Sequence, residues 1–172
     1  MASPSNSSST QAKKIKLKSA DGVLFKVEEP VAMEMETVKL YFAGNEDAIE
    51  DTVLPLPNVL AEHMPAILDF YRKDLEFRKR CPPPPTEEVK AFNDAFLENK
   101  SNDQLKELIM AANYLNSKEL LDFLTDAAAN RIKNKSVEYV RAFFGVDNDF
   151  TPKEEAKIRA ENKWAFEGVD DD

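Results

Sequence analysis

The sequence is poor in the residues on which several kinds of active site depend. Its 172 residues include one histidine, one cysteine and four glycines. A Ser–His–Asp triad would have to use His63, which we interpret as a partly buried structural residue. The glycines are too dispersed for a phosphate-binding or dinucleotide-binding loop. His63 and Cys81 are the only soft metal donors, too few for a tetrahedral zinc site. We therefore predict no catalytic residues, no metal and no cofactor.

Basic charge and long apolar runs are also scarce. Lys and Arg number 23 against 32 Asp and Glu, which gives a net charge of −9 and a pI near 4.8. Nucleic-acid binding requires clustered basic residues, so that class is not expected. No apolar stretch approaches the roughly 20 residues that span a bilayer, and the N-terminus has no apolar signal core. The lone cysteine excludes an intramolecular disulfide. We expect a soluble intracellular protein without membrane partners, small enough to occupy both cytoplasm and nucleus.

Short strands are predicted in the N-terminal half. Residues 1–12 are Ser-rich and are predicted to be a disordered tail. Alternating Lys and apolar residues in KIKLKSADGVLFKV, interrupted by Asp21–Gly22, predict a hairpin with one buried face. VLPLPN predicts another strand, which its prolines confine to an edge or to the end of a parallel ladder. A short helix is predicted over Thr37–Ala43 and an acidic loop over 45–51. A longer helix begins at Met64 and precedes the CPPPPT spacer.

From Glu87 onward the pattern is helical, and the last third carries more apolar residues than one packed face needs. In SKELLDFLTDAAANRIKN, one stripe holds Leu120, Leu124 and Ala127, and a second holds Leu121, Thr125, Ala128 and Ile132. Thr151, Pro152 and Glu154 predict a capped helix that continues to Trp164. That helix has little apolar area apart from Trp164 and Phe166. Two interpretations stay open from the pattern alone: a groove for a helical partner, or a closed helical core.

Several motifs resemble one known family. The sequence resembles the Skp adaptor family, the small subunit of SCF ubiquitin ligases, in four segments: PLPNV, ELIMAANYLNSKELLD, NDFTPKEEAKIRAEN and WAFE. The WAFE ending is similar to that of the plant members. The resemblance runs from about Lys14 to Glu167. It implies an α/β (α+β) fold, with a BTB/POZ-like domain over 13–115, F-box-binding helices that form a dimerisation extension over 116–167, and an acidic tail over 168–172. It also implies a non-catalytic adaptor that bridges a cullin to F-box proteins for ubiquitination and degradation of substrates.

The resemblance assigns binding residues by motif. Asn113 and Tyr114 correspond to the cullin contacts, and their side chains are expected to point away from the Leu108/Ile109/Ala112 stripe. The F-box contacts correspond to Ile109, Leu121, Thr125, Ala128, Ile132, Val140, Phe144, Val146, Phe150 and Trp164. Partner burial therefore becomes the preferred interpretation of the spare stripe.

Some positions depart from the family pattern. His63 replaces an apolar residue, and Pro65 is expected to delay or kink the helix. Ser117 replaces a usual isoleucine, and Asn134 stands at a usual glycine, where it can adopt a left-handed conformation. Lys106 takes an aromatic position near the cullin-facing surface. Two alternatives follow: a scaffold that binds F-box proteins without engaging cullin, and a BTB-type protein that self-associates, for instance as a weak homodimer when no F-box is bound.

Overall fold

The computed structural model describes residues 13–44 and 52–169. The predicted tail over 1–12, the acidic loop over 45–51 and residues 170–172 of the acidic tail lie outside the described residues. Within them, a small sheet is followed by a mainly helical chain, which confirms the predicted α+β fold. No helix of these two segments is both long enough and apolar enough to cross a membrane.

The sheet has three strands in the order β2-β1-β3. β1 (Lys14–Ser19) pairs antiparallel with β2 (Leu24–Glu28) and parallel with β3 (Val53–Leu56). The predicted hairpin is confirmed, with Ile15 and Leu17 buried between exposed or half-exposed lysines. β3 is an edge strand, where Pro55 removes no hydrogen bond that a second neighbour would need.

The helices and their bounds follow in chain order: α1 Glu29–Ala32, α2 Glu36–Phe42, α3 Met64–Lys79, α4 Thr86–Leu97, α5 Asn102–Tyr114, α6 Lys118–Ile132, α7 Val137–Phe144, α8 Pro152–Glu161 and a 3₁₀-helix Lys163–Phe166. Asn134 has a φ of 58°, the left-handed conformation expected of it. The expectation for Pro65 is wrong, because α3 begins at Met64 and Pro65 occupies its first turn. A proline there replaces an N–H that has no partner within the helix.

One hydrophobic core runs from the sheet into α6 and α7. Its largest fully buried side chains are Ile15, Leu17, Met35, Leu56, Met64, Ile67, Leu105, Leu108, Leu115, Leu120 and Leu124. A cluster of phenylalanines extends it between α3, α4 and α6, with the Phe70 and Phe123 rings stacked at 5.6 Å. Arg131 on α6 also donates to the Asn102 side chain at the start of α5, at 2.9 Å. The core is therefore continuous across residue 115, and the division into 13–115 and 116–167 stays a prediction.

The serines that precede α5 and α6 differ in what their hydroxyls contact. Ser101 accepts a hydrogen bond from the Gln104 backbone N–H at 3.1 Å, and the Gln104 side chain accepts from the Ser101 N–H at 3.0 Å. Ser117 precedes α6, but its hydroxyl is buried and has no hydrogen-bond partner among the described residues. The Tyr71 hydroxyl is also buried and has no partner in hydrogen-bonding geometry among the described residues. Burial raises the pKa of Tyr71, and the nearby Ser117 hydroxyl lowers it in part.

Replacing these serines by alanine is expected to shift stability in opposite directions. Ser101→Ala should lower the free energy of unfolding by about 1 kcal/mol, because it removes a cap. Ser117→Ala should leave it unchanged or raise it by up to about 1 kcal/mol, because burying an unpartnered hydroxyl is unfavourable. Urea unfolding of both variants beside the parent measures the difference. Equal losses would show that Ser117 also caps its helix.

Candidate partner-binding surfaces

Large apolar side chains are exposed at the C-terminal end of the chain. Trp164 is 74% exposed, Val146 59%, Phe144 51% and Phe150 46%. Burying such a side chain is worth roughly 1.5–3 kcal/mol, so several left in water mark a surface that gains from being covered. Together with Val140 these four residues are called the C-terminal apolar surface.

Helix α7 directs part of this surface outward. The Ser136 hydroxyl caps its start by accepting from the Tyr139 N–H at 3.0 Å. Near its end, Phe143 is buried while Phe144 projects into solvent. Gly145 then adopts a left-handed conformation with φ 66°, and the Val146 N–H bonds back to the Arg141 carbonyl at 2.9 Å. This turn ends the helix and brings Val146 beside Phe144.

Two open grooves lie along α7. The first, of about 340 Å³, is lined by Lys135, Val137, Val140, Arg141, Phe144 and Val146. The second, of about 150 Å³, is lined by Val137, Arg141, Phe150, Glu155, Ile158, Arg159 and Phe166. The two grooves share Val137 and Arg141, so they lie next to each other on this helix. The structure thus brings Val140, Phe144, Val146 and Phe150 together.

Polar contacts hold α8 beside α7. The predicted capping box is confirmed, since Thr151 accepts from the Glu154 N–H at 3.3 Å and Glu154 accepts from the Thr151 N–H at 3.0 Å. No residue of α8 is buried. Glu155 instead accepts from Asn148 at 3.0 Å, Arg159 at 3.1 Å and Arg141 at 3.3 Å. Arg159 also bonds Glu138 on α7. The position of α8 therefore depends on charge more than on apolar burial.

Acid is expected to loosen α8 before the rest of the fold. Hydrogen bonds from Arg159, then Asn148 and Arg141, lower the pKa of Glu155 below its ordinary value of 4.5. A carboxyl group whose pKa is lowered by folding stabilises the folded state at a pH above its ordinary pKa. This stabilisation is lost as the pH falls through the lowered pKa of the folded state. Backbone NMR shifts of residues 152–161 should therefore move toward coil values below about pH 4.5. Glu155→Gln should reproduce part of this change at neutral pH.

The matched control for that experiment is Glu161→Gln, since Glu161 is exposed at the end of α8 and its ion pair with Lys157 spans 3.9 Å. An acid transition in which α5 and α6 lose structure together with α8 would contradict the expected order.

Trp164 lies beyond the end of α8. The prediction of one helix reaching Trp164 is wrong: α8 ends at Glu161, and Trp164 lies on the 3₁₀-helix. The break falls at Asn162, whose φ is −120° and whose backbone N–H and side-chain amide both donate to the Ile158 carbonyl, at 3.1 and 2.9 Å. Phe166, on the same 3₁₀-helix, lies 5.0 Å from the Arg159 guanidinium and lines the second groove. Trp164 itself stays open to solvent.

The second stripe of α6 is less open than its spacing suggests. Thr125 is exposed, but its hydroxyl bonds back to the Leu121 carbonyl at 2.9 Å. Leu121 and Ile132 are half-buried against the core, as is Ile109 on α5. Ala128 is only 8% exposed, so it offers little open area in the free chain, and its assignment as an F-box contact stays a prediction. Besides α5, α6 packs against α7 and, through Phe123, against Phe70 of α3 and Phe96 of α4. Helical spacing alone does not predict these contacts.

The end of α5 presents a different surface. Asn113 is exposed, whereas Tyr114 is half-buried and packs against the core. The expected outward orientation therefore applies to Asn113 and is wrong for Tyr114, because α2 comes close to this end of α5. Thr37 of α2 donates its hydroxyl to the Tyr114 carbonyl at 2.8 Å and its N–H to the Leu115 carbonyl at 3.2 Å.

Exposed apolar residues that the sequence pattern does not single out lie on α5 and on α2, the helix that contacts the end of α5. Met110 is 66% exposed and stands three residues before it, on the same face of α5. Leu40 and Tyr41 are 62% and 52% exposed on α2, one turn after the Thr37 contact. We call these residues together the α2–α5 surface, which consists of Met110, Asn113 and Tyr114 on α5 and Leu40 and Tyr41 on α2. The i, i+3, i+4 spacing of Met110, Asn113 and Tyr114 is the sequence pattern from which Met110 could have been assigned to this surface.

Lys106 is engaged within the chain. Its ammonium pairs with Asp103 at 2.8 Å and lies 5.9 Å from the ring of Phe143. Its side chain therefore contacts a neighbour on α5 and one on α7.

His63 makes a contact that the sequence does not reveal. It is buried, as expected for a structural histidine, and its Nε2 lies 2.8 Å from Glu107 Oε2 on α5. Glu62 lies beside them, and these three side chains form a group able to hold a metal ion. The sequence pattern gives no sign of this group, because two of its three members are glutamates and Glu107 is 44 positions from His63.

Comparison with known proteins agrees with this layout. Residues 13–75 match the model for the Skp1 family, tetramerisation domain, and residues 118–165 match the Skp1 family, dimerisation domain. SKP1-like protein 1A of Arabidopsis thaliana is 40% identical over 162 residues, which cover 91% of this chain and 99% of that protein. SKP1-like protein 20 of Oryza sativa subsp. japonica is 38% identical over 169 residues, covering 89% of this chain and 94% of that protein.

Proposed function

Because the chain belongs to the Skp1 family, we propose that it is a non-catalytic adaptor of an SCF (cullin–RING) ubiquitin ligase. In this role it bridges a cullin to F-box proteins, which present substrates for ubiquitination and proteasomal degradation. The observation that carries the proposal is the C-terminal apolar surface, whose most exposed residue is also the only tryptophan. An apolar groove along a helix is suited to a helical partner.

The F-box is assigned to the C-terminal apolar surface and the adjoining α6 stripe. Phe144, Val146 and Phe150 offer open apolar area, and Trp164 has the most to gain from being covered. The remaining proposed contacts are the partly or largely buried Ile109, Leu121, Ala128, Ile132 and Val140, and the exposed Thr125. These less exposed side chains would shape the groove floor, while the open aromatics supply most of the binding free energy.

The cullin is assigned to the α2–α5 surface. Asn113 is exposed, and the half-buried Tyr114 follows it at the end of α5. The exposed Met110, Leu40 and Tyr41 would surround these two contacts with apolar area. α5 carries part of the proposed cullin surface, and it shares one hydrophobic core with α6 and with Phe143 of α7, next to the C-terminal apolar surface.

Self-association is the second candidate, favoured by the same exposed aromatics. Without an F-box, two copies would gain by covering Phe144 and Trp164 with each other, which supports a weak homodimer. Sedimentation at micromolar concentrations should then show a dimer that dissociates when an F-box domain is added. A dimer that persists in its presence would favour a BTB-type self-associating protein.

A pull-down with separate partners tests the adaptor role. The immobilised chain is mixed with an F-box domain, a cullin N-terminal domain, or both, and all three mixtures should give stable complexes. Capture of the F-box without cullin would favour the scaffold alternative and contradict the bridging role. Asn113→Ala should weaken cullin capture and spare the F-box. We also propose that the protein occupies both cytoplasm and nucleus, which cell fractionation tests.

A further inference from the structure

We propose that Glu62, His63 and Glu107 form a binding site for a divalent transition-metal ion, with Zn²⁺ the best match. Glu62 and His63 lie in the turn before α3, and Glu107 lies on α5. One ligand atom from each of the three side chains lies within 4.8 Å of the other two. None of the three side chains belongs to either proposed partner-binding surface, although Glu107 precedes Met110 of the α2–α5 surface by one helical turn of α5. The proposal does not depend on the adaptor role.

His63 supplies a fixed anchor. Its residue surface is 6% exposed, and its backbone is held by bonds to Leu60 on one side and Ile67 on the other. The imidazole Nε2 faces Glu107 Oε2 at 2.8 Å. With the ring orientation set by burial, a metal ion at Nε2 would require the neutral imidazole with its proton on Nδ1.

The two carboxylates supply mobile ligands. Glu62 and Glu107 are both exposed, so their side chains can rotate without disturbing the core. Zinc bonds of about 2.0–2.2 Å place ligand atoms of a tetrahedral site roughly 3.4 Å apart. The Glu107 oxygen would withdraw slightly from its 2.8 Å contact, and the Glu62 oxygen would approach from a separation of at most 4.8 Å. Water would complete the fourth position.

The chemistry of the three ligands selects the class of ion. An imidazole nitrogen suits zinc and its first-row neighbours, whereas Ca²⁺ and Mg²⁺ prefer more oxygen ligands. Copper(I) prefers thiolate or thioether sulfur, which none of the three residues offers. The two ionised carboxylates together carry the charge that balances one divalent cation. Zn²⁺ therefore fits both the ligand set and its charge.

Glu62 distinguishes a metal site from a simple hydrogen-bonded pair. A His63–Glu107 pair has no need of Glu62, and no hydrogen bond joins Glu62 to either residue among the described contacts. A metal site uses Glu62 as its third protein ligand. Glu62→Gln therefore removes a ligand while leaving the His63–Glu107 contact and the core in place.

The test uses the full-length chain without an affinity tag, because His63 is then the only histidine and its NMR signals need no assignment. All proteins carry Cys81→Ser, since the exposed Cys81 thiol is a competing zinc ligand. Zn²⁺ should shift the imidazole ¹⁵N resonances and raise the melting temperature, since binding to the folded state stabilises it. Millimolar Mg²⁺ should not displace the bound Zn²⁺.

Two variants decide the outcome. Glu62→Gln should weaken Zn²⁺ affinity by at least about tenfold, the loss that even an outer-shell partner produces. Its melting temperature without metal should be unchanged. Glu98→Gln, an exposed residue at the end of α4, should bind Zn²⁺ as the parent does. The proposal is overturned if Zn²⁺ leaves the imidazole resonances in place, or if the two variants bind Zn²⁺ equally well.

Discussion

Trp164→Ala is expected to weaken binding of an F-box domain by about 2–4 kcal/mol, a loss of affinity of roughly 30- to 700-fold. The indole is 74% exposed in the free chain and lies on a 3₁₀-helix that contributes no buried residue. Its burial by a partner therefore accounts for the whole expected loss. For the same reason the free energy of unfolding should change by less than about 0.5 kcal/mol.

Titration calorimetry with a purified F-box domain measures the affinity, and urea unfolding measures the stability. Leu40→Ala is the matched control, because Leu40 is 62% exposed but lies on α2. That variant should bind the F-box domain as the parent does. A Trp164→Ala variant that binds normally, or that loses F-box and cullin binding equally, would contradict the assignment of two separate surfaces.

Leu124→Ala is expected to lower the free energy of unfolding by about 2–5 kcal/mol. Leu124 is completely buried in the core that α5 and α6 share. Truncation removes apolar contacts and leaves a cavity that a helix held on two sides cannot close fully. Chemical denaturation followed by circular dichroism measures the loss.

The neighbouring Thr125→Ala is the control for Leu124→Ala. Thr125 is exposed, and its hydroxyl bonds only to carbonyls of its own helix, at 2.9 Å and 3.0 Å. Its replacement should change stability by less than about 0.5 kcal/mol. If Thr125→Ala destabilised the fold as much as Leu124→Ala, the two stripes of α6 would not have the different roles proposed for them.

Local rules predicted the elements whose signals lie close together in sequence. Alternation around Asp21–Gly22 predicted the hairpin, and the Thr151–Glu154 pair predicted the start of α8. Asn134 was expected in the left-handed conformation that it adopts. In each case a few neighbouring residues determine the backbone conformation, so no knowledge of distant contacts was required.

Features set by distant packing were harder to predict. Ala128 is buried although it lies on the stripe that helical spacing leaves free, and α6 has neighbouring helices on more than one side. Tyr114 turns toward the core where α2 meets the end of α5. His63 meets a glutamate 44 positions away. The break at Asn162 is local, but it is a change of backbone conformation accompanied by a side-chain bond to the Ile158 carbonyl, and apolar periodicity carries no information about either.

The most direct test of the adaptor proposal is the fluorescence of Trp164, the only tryptophan of the chain. A tryptophan-free F-box segment is added in stoichiometric amount, and co-elution on gel filtration establishes independently that it has bound. Emission should shift to the blue, and acrylamide should quench it less, because the partner covers the indole. A complex that co-elutes while emission and quenching stay as in the free chain would contradict the proposed F-box surface.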